Sequence, residues 1–483
     1  MKKNNTKATA KQNVEKKTKI VATIGPASEA PEMVEELILS GVNVFRLNLS
    51  HGTIEEHVER LKRIRQIAKR LDIHVAILAD LAGPKIRIGD FREGEIDLNN
   101  GHEFILCTEK LEGTAKKVYI NYPLLPKEVK VGQKIFLDDG KVELEVSKIN
   151  GFDVHTKIRA GGRITSRRGV NIPGAKLSVS ALTAKDTADL SKILLEDIDY
   201  VALSFVRSPK DIDDLRKVIA KYRKKDLPWI VSKIETVEAI ENLGEIVTQS
   251  DAVMVARGDL AVEIGREMVP AMQKEIIRMA NEFGKPVITA THFLESMVSR
   301  STPTRAEVSD IANAILDGTD AIMLSAETAS GAFPVEAVKI MANVAVITEL
   351  DHEHFRKHFR VDSGDVVDSV SLSVVYTARN VGAVAIAALS SSGFTAKMTA
   401  RHRSTRPVYV FTPYKAVAQK TALFFGCEPL VLSKLSDLGE ATKQIKKSLQ
   451  DNKFAKKGDR IVISASVPFG IAKTTNCLLV ETI

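Results

Sequence analysis

Residues 229–235 read WIVSKIE, and TVEAI follows. The run opens apolar and β-branched, as a buried strand does. It then sets Lys233 and Glu235 two positions apart, and on an extended chain such side chains share a face. An ammonium and a carboxylate on one face of a buried strand are costly unless both are partnered. Seven other runs have the same form, a short apolar strand ending in polar or glycine residues: KIVATIG (19–25), VFRLNLS (44–50), HVAILADL (74–81), YVALSF (200–205), AVMVARGDL (252–260), PVITATH (286–292) and AIMLSAE (321–327). Helical patterns such as APEMVEELILSG and IEEHVERLKRIRQIAKRL separate most of them. Eight strands alternating with helices predict an α/β fold, a (β/α)8 barrel.

The interval between the third and fourth strands is too long for one helix. Residues 88–177 hold short alternating strands such as KVYINY, and IFLDDGKVELEV reads as a hairpin with Asp-Gly at its turn. We read 88–177 as an inserted β lid domain of small-barrel type. The flanking segments, 18–87 and 178–347, then have together the length of one such barrel, about 250 residues. From 348 to 483 the pattern restarts with AVAIAAL, PVYVFT, PLVLS and DRIVISAS, which predicts a separate C-terminal α/β domain.

Composition narrows the function classes. The chain has 483 residues, 44% hydrophobic and 27% charged, ordinary for a globular protein. No apolar run reaches the ~18 residues of a membrane helix, so no membrane partner is expected. The first 17 residues carry six lysines and one glutamate without the apolar stretch of a secretory signal. They read as a basic flexible tail. Cys107, Cys427 and Cys477 are scattered, as reduced thiols of a cytoplasmic protein are. The net charge is +8, but acidic residues are interspersed with the basic ones and there is a single Trp. An enzyme for anionic metabolites accounts for this better than nucleic-acid binding does.

In such barrels the site lies at the C-terminal ends of the strands. There the sequence places Arg46, Asn48, Ser50 and His51, then Asp80, Lys233 with Glu235, Asp259 and Thr291. Unrelated caps and ion pairs account for one or two of these, not for all together. Glu235 and Asp259 are hard oxygen donors on adjacent strands, suited to Mg²⁺ or Mn²⁺ completed by waters and substrate. Lys233 and Arg46 would face an anion on that metal, and these are the parts of a phosphoryl-transfer site. The glycine of ARGDL lets backbone N–H groups approach a carboxylate or phosphate. In the C-terminal domain LSSSGFTAK (389–397) links a strand to a helix. Its hydroxyls and N–H groups suit either a phosphate or a plain N-cap.

The sequence resembles the pyruvate kinase family from about Thr18 to its last residue. The resemblance rests on TKIVATIGPAS, VFRLNLSHG, GPKIRIG, GVNIPG, IVSKIETVEAIENL, VMVARGDLAVEI, GKPVITATHFLESM, PTRAEVSDIANAILDGTDAIMLSAETASG and VPFGIAKTTNCLLVETI, in one order. It implies transfer of a phosphoryl group from phosphoenolpyruvate to ADP, giving pyruvate and ATP. Carried over by position, Glu235 and Asp259 are the ligands of the protein-bound Mg²⁺. Lys233 stabilises charge on the phosphoryl in flight. Thr291 orders the route of a proton to the enolate carbon, and Gly258, Asp259 and Thr291 cradle the substrate carboxylate. Arg46, His51, Arg87 and Arg168 fall at phosphate and nucleotide contacts. The inserted domain would close as a lid, and a homotetramer is implied. Ser390, Ser391, Ser392, Gly393 and Thr395 fall in the loop the family uses for a phosphorylated effector. With no Trp in this domain, a sugar monophosphate or nucleotide is expected there rather than a bisphosphate.

Some positions depart from the family. Asn48, Ser50 and Asp80 match three ligand positions of the K⁺ ion of potassium-dependent members, but the fourth is Leu81 where they have Thr. Lys85 stands where they have Glu, so a tethered ammonium is expected to replace K⁺. His292 and Ala326 replace the usual Gln and Gly, and Arg168 replaces a common Lys. Two other classes stay open at this point: another metal-dependent barrel acting on phosphoenolpyruvate or pyruvate, and a catalytically silent paralogue that binds metabolites.

Overall fold

Eight parallel strands close into a barrel in chain order. They are β1 (Lys19–Thr23), β2 (Val44–Asn48), β3 (Ala76–Asp80), β4 (Tyr200–Leu203), β5 (Trp229–Ile234), β6 (Ala252–Ala256), β7 (Val287–Ala290) and β8 (Ala321–Leu324). The computed structural model describes residues 16–175, 177–350, 365–433, 437–468 and 474–483. Alternation along the strands sorts their side chains into two layers. Val21, Val44, Leu78, Tyr200, Val231, Met254, Ile288 and Met323 fill the inside. Ile20, Phe45, Ile77, Val201, Ile230 and Val253 face the surrounding helices. The helix Ile54–Leu71 shows why those helices form where they do. Thr53 and Glu56 make a capping box at its start, Leu61, Ile64 and Ala68 are buried against the barrel, and Lys69 and Arg70 lie in its last turn, where they suit the dipole.

Between β3 and β4 the chain builds its own sheets. Six strands pair in the order Val170–Asn171, Lys134–Leu137, Val142–Asn150, Asp153–Ala160, Glu103–Cys107 and Lys117–Tyr119. A separate pair joins Gly162–Thr165 to Glu95–Leu98. Phe104, Leu106, Val118, Ile135, Val146 and Val154 form a core apart from the barrel's. At the expected hairpin Leu137 pairs with Val142. Asp138, Asp139 and Gly140 between them all have positive φ, which aspartate and glycine tolerate best.

The C-terminal sheet has strands β9 (Ala385–Leu389), β10 (Val408–Thr412), β11 (Cys427–Val431), β12 (Arg460–Ala465) and β13 (Cys477–Thr482), in the order β11-β10-β9-β12-β13. Only β13 runs antiparallel to its neighbour; the sequence pattern did not announce it. This domain seals the N-terminal mouth of the barrel. The Tyr200 hydroxyl donates to the Lys420 carbonyl at 2.5 Å. Trp229, at the start of β5, stacks on Phe424 with ring centroids 5.7 Å apart.

The chain is packed earlier than the expected tail allows. Residues 1–15 of that tail lie outside the described residues. Lys16 is buried, and its ammonium donates to Asn43 Oδ1 at 2.6 Å. The backbone N–H groups of Lys17 and Thr18 donate to the Glu349 carboxylate at 2.6 Å each. No helix among the described residues is long and apolar enough to cross a membrane.

One buried ion pair joins the C-terminal domain to the barrel. Arg403, with no side-chain exposure, donates to both oxygens of Asp320 at 2.9 Å and to Asn281 Oδ1 at 2.7 Å. Removing one partner of such a pair leaves a buried charge uncompensated. Arg403→Ala is therefore expected to destabilise the fold by about 3–5 kcal/mol. A lowered urea midpoint for the loss of far-UV circular dichroism checks this, and an unchanged midpoint contradicts it.

Candidate active site

Where the strands end, the apolar barrel core gives way to charge. Met254, Ala256, Ala290 and Met323 floor a cavity of about 140 Å³, whose walls carry Arg46, Asn48, Ser50, Asp80, Lys85, Lys233, Glu235, Asp259 and Thr291. Strand register brings these groups together. Lys233 and Met254 are partners across β5 and β6, and Asn48 and Asp80 across β2 and β3.

Glu235 is fully buried and Asp80 is 1% exposed. Asp80 Oδ2 accepts from Arg46 Nε at 2.7 Å, and Arg46 also donates to Thr23 Oγ1 at 3.0 Å. Glu235 Oε2 accepts from the Phe205 N–H at 2.7 Å. Lys233 Nζ stands 2.8 Å from Glu235 Oε1 and 3.7 Å from Asp80 Oδ1, and donates to Ser204 Oγ at 2.8 Å. The Lys233–Glu235 contact is short but out of line for a hydrogen bond. Glu235 Oε1 and Asp80 Oδ1 are thus left without a hydrogen-bond donor among the described residues.

Protonation follows from this packing. Burial opposes charge on Lys233, but Asp80, Glu235 and Asp259 more than offset it and hold the ammonium above its ordinary pKa. Burial raises the Glu235 carboxyl, and Asp259 adds to the rise against Lys233. Asp259 is raised in the same way, by burial first, with Asp139 and Asp80 adding to it. In Asp80 the cations Lys233 and Arg46 outweigh burial, and its pKa lies below the usual range.

These residues fit a divalent cation. Two carboxylates raised by burial, with an orphaned oxygen on Glu235, are the donor set that a small hard cation satisfies. Among the described residues no group of three or more His, Cys, Asp and Glu could hold a metal. A cation here would therefore complete its shell with water and substrate, as Mg²⁺ does.

The expected residues fall into four places. Arg46, Asn48, Ser50, Asp80, Leu81, Lys85, Lys233, Glu235, Asp259 and Thr291 line the small cavity. Arg87 and Arg168 line a larger cleft of about 300 Å³, between barrel and insertion, which meets the small one at Lys85 and Asp259. His51 lines neither. It lies within the fields of Lys85, Arg87 and Arg46, which together with burial depress its pKa. The loop 390–395 is far from this end of the barrel, against Trp229 at its base, where a Cβ on Gly393 would stand 3.2 Å from the indole.

Four expectations change. Asp259 is not a strand-end residue: β6 stops at Ala256 and the helix Arg257–Ile264 begins there. The Gly258 N–H is taken by Thr291 Oγ1 at 3.0 Å. At the expected effector loop, Ser390 and Thr395 are buried, and Thr395 Oγ1 accepts from Thr475 at 3.1 Å, so only Ser391 and Ser392 present hydroxyls outward. The N-cap alternative for that loop does not hold either, because the cap is Gly393 at φ 84° with no side-chain hydrogen bond.

Thr291 and His292 are consecutive left-handed residues, φ 73° and 57°, a strained state for a β-branched side chain. Arg257 stabilises it. It donates to the Ala290 carbonyl at 3.0 Å and to the Thr291 carbonyl, and is itself fixed by Asp310 at 2.8 Å. Sequence reasoning missed Arg257, and also Ser204, which follows β4 and was reachable by the same strand-end rule that found the rest. Glu263, in the larger cleft, was missed too. Burial beside Glu238 and Asp259 pushes its carboxyl up to about 8.

Known proteins resemble this chain along nearly its whole length. The family profile "Pyruvate kinase, barrel domain" matches residues 15–338, and "Pyruvate kinase, alpha/beta domain" matches 368–481. Pyruvate kinases of Staphylococcus aureus strains USA300 and bovine RF122 are each 41% identical over 471 residues, 96% of this chain and 80% of theirs. A crystal structure of a pyruvate kinase from Cryptosporidium parvum superposes with a TM-score of 0.91 at 32% identity, over 99% of this chain and 97% of that one. With both family profiles in register and relatives of this identity along nearly the whole sequence, the chain belongs to the pyruvate kinase family.

Proposed function

We propose that the small cavity is where phosphoryl passes from phosphoenolpyruvate to ADP, with Mg²⁺ or Mn²⁺ held by Glu235 and Asp259. The observation that carries this reading is the pair of buried carboxylate oxygens, on Glu235 and Asp80, that face a partly buried ammonium at 2.8 and 3.7 Å and have no hydrogen-bond partner among the described residues. When bound, the cation supplies positive charge to the phosphoryl and substrate oxygens. The remaining work falls to the chain. Arg46, held rigid by Asp80 and Thr23, gives a fixed guanidinium for a phosphate. Lys233, kept protonated by three carboxylates, opposes the charge that spreads over the phosphoryl oxygens in transit. Gly258, Asp259 and Thr291 cradle the substrate carboxylate once the Thr291 hydroxyl releases the Gly258 N–H. The same hydroxyl orders the proton's route to the enolate carbon. Arg87 and Arg168, with His51 nearby, receive the nucleotide in the larger cleft, over which the insertion closes. A homotetramer is the proposed assembly.

Lys85 is the proposed substitute for K⁺. It lines both cavities, and its amine makes no ion pair within 4 Å among the described residues, so its charge is directed at the cleft. Burial, then Lys233 and Arg87, depress its pKa, although more than a third of its surface stays open to solvent, which screens these effects. For the effector, we propose a phosphorylated ligand, a sugar monophosphate or nucleotide, at Ser391 and Ser392.

Three outcomes test these readings. Lys233→Met should lower kcat by on the order of 10²–10³ while sparing substrate binding, and Glu235→Ala should shift the Mg²⁺ titration to higher concentration; normal values remove each residue from its role. Activity should be full without K⁺ at neutral pH. A lysine with a lowered pKa loses its charge earlier as pH rises, so in K⁺-free buffer activity should fall on the alkaline side and KCl at constant ionic strength should restore it. A rise of about tenfold or more on adding KCl at pH 7, roughly 1.4 kcal/mol of barrier, contradicts the tethered charge. Changing Ser391 and Ser392 together to Glu should abolish activation by sugar phosphates and leave basal rates intact; activation that survives places the effector elsewhere.

A further inference from the structure

Both ends of the insertion are fastened to one four-residue loop, Ser204–Arg207, which follows β4. The ingoing segment seats on its first half. Ser204 Oγ donates to the Leu81 carbonyl at 2.9 Å. Gly83, at φ 66°, lies so close that a Cβ there would meet Ser204 Cβ at 2.9 Å and the Phe205 ring at 3.1 Å. The outgoing segment seats on its second half, where the Arg207 guanidinium donates to the carbonyls of Leu177 and Val179. The loop has little freedom of its own. Phe205 is left-handed at φ 54°, a costly state for a bulky residue. The Arg207 N–H donates to Asp211 at 2.9 Å and its carbonyl accepts from Asn242 Nδ2 at 2.8 Å.

The same loop reaches the reacting end of the cavity. Lys233 donates to Ser204 Oγ, and the Phe205 N–H donates to Glu235. A displacement of the insertion relative to the barrel is therefore felt at Lys233 and Glu235 through two hydrogen bonds. In turn, a charge that draws on Lys233 or Glu235 acts on the seat of the insertion.

We infer that Arg207 is a positioning residue for phosphoryl transfer: it clamps the outgoing segment of the insertion to the loop that orients Lys233 and Glu235, so that lid position and the geometry of the ammonium–carboxylate pair change together. This rests on the roles proposed above for Lys233, Glu235 and the insertion. Arg207 lines the larger cleft, but its two terminal guanidinium nitrogens are taken up by the Leu177 and Val179 carbonyls, so it acts through placement, and misplacement alone costs as much as about 100-fold in rate.

The test is Arg207→Gln in the full-length enzyme, read in three ways. kcat is expected to fall about 10- to 100-fold. The Mg²⁺ titration midpoint should rise, because Glu235 loses a well-placed donor. Limited proteolysis should cut faster between barrel and insertion. Arg207→Lys, with one ammonium for two carbonyls, should fall between. A folded Arg207→Gln enzyme with kcat and Mg²⁺ midpoint within about twofold of the parent overturns the proposal, as does a loss of thermal stability with both constants unchanged. If Arg207→Gln does not fold, Asn242→Ala loosens the same loop with the guanidinium intact. It should shift kcat and the Mg²⁺ midpoint in the same direction, and unchanged constants overturn the proposal. Lys233→Met separates the two layers. An inactive Lys233→Met beside a normal Arg207→Gln sinks only this inference, whereas a fully active Lys233→Met removes the site reading and this inference with it.

Discussion

The ammonium of Lys233 is the interaction around which the top of the barrel is organised. Three carboxylates, Asp80, Glu235 and Asp259, share its field with two further cations, Arg46 and Lys85. Three acids and three bases crowd a cavity floored by methionine and alanine, in surroundings where charge is poorly screened. Such an arrangement is a poor way to stabilise a fold, since apolar side chains of similar volume serve stability as well or better. It becomes reasonable under the proposed function, in which a divalent cation would answer the two raised carboxylates and an anion the ammonium and guanidinium.

Strand β5 joins this charge to the opposite face of the barrel. Its first residue, Trp229, packs on Phe424 and against Gly393 of the C-terminal domain, and its last residues carry the site. Six residues of strand span roughly 20 Å. Between the two ends, Ile230, Val231 and Ser232 are fully buried and bonded to strands on both sides. The two chemistries therefore sit on one stiff element, an apolar anchor below and an ion pair above. The gap-free packing beneath explains why residue 393 is glycine: a Cβ there would meet both the indole and its own left-handed backbone.

The sequence made the barrel legible because each strand is a short β-branched run followed by a helix of clear period. It misjudged where strands stop. The expected runs continue through Asp259 and Thr291, but β6 ends at Ala256 and β7 at Ala290. The residues beyond leave the ladder to line the cavity, as helical Asp259 and left-handed Thr291 do. A hydrophobicity pattern cannot register that departure, since polar residues at a strand end and in a loop look alike. Ser204 escaped notice because a lone serine carries no charge signal, although its place directly after β4 met the strand-end rule; the fold brings Lys233 and Leu81 against it. Thr395 was misread for the complementary reason. A hydroxyl in a Ser/Thr loop suggests exposure, whereas this one turns inward to Thr475. Strand β13 was missed because its partner β12 is remembered by register, not by any local motif: nothing near Cys477 states that it will run antiparallel.

Why the insertion interrupts the barrel between β3 and β4, and not elsewhere, has a physical answer in these contacts. A domain hung from two chain segments swivels unless both are held, and two segments held by different elements transmit two unrelated displacements. Here β3 and β4 are neighbours in the barrel, so both segments emerge beside the same strand-end loop. Gly83 admits the ingoing segment to within van der Waals contact of Ser204 and Phe205, and Arg207 takes the outgoing one by its carbonyls. The cleft floor between them is the loop whose hydroxyl and N–H already serve Lys233 and Glu235. A domain inserted after any other strand would close over the cavity from a different side, but it would not rest on the groups that orient the ammonium. Insertion at this point lets one loop both bear the inserted domain and hold the groups that contact Lys233 and Glu235.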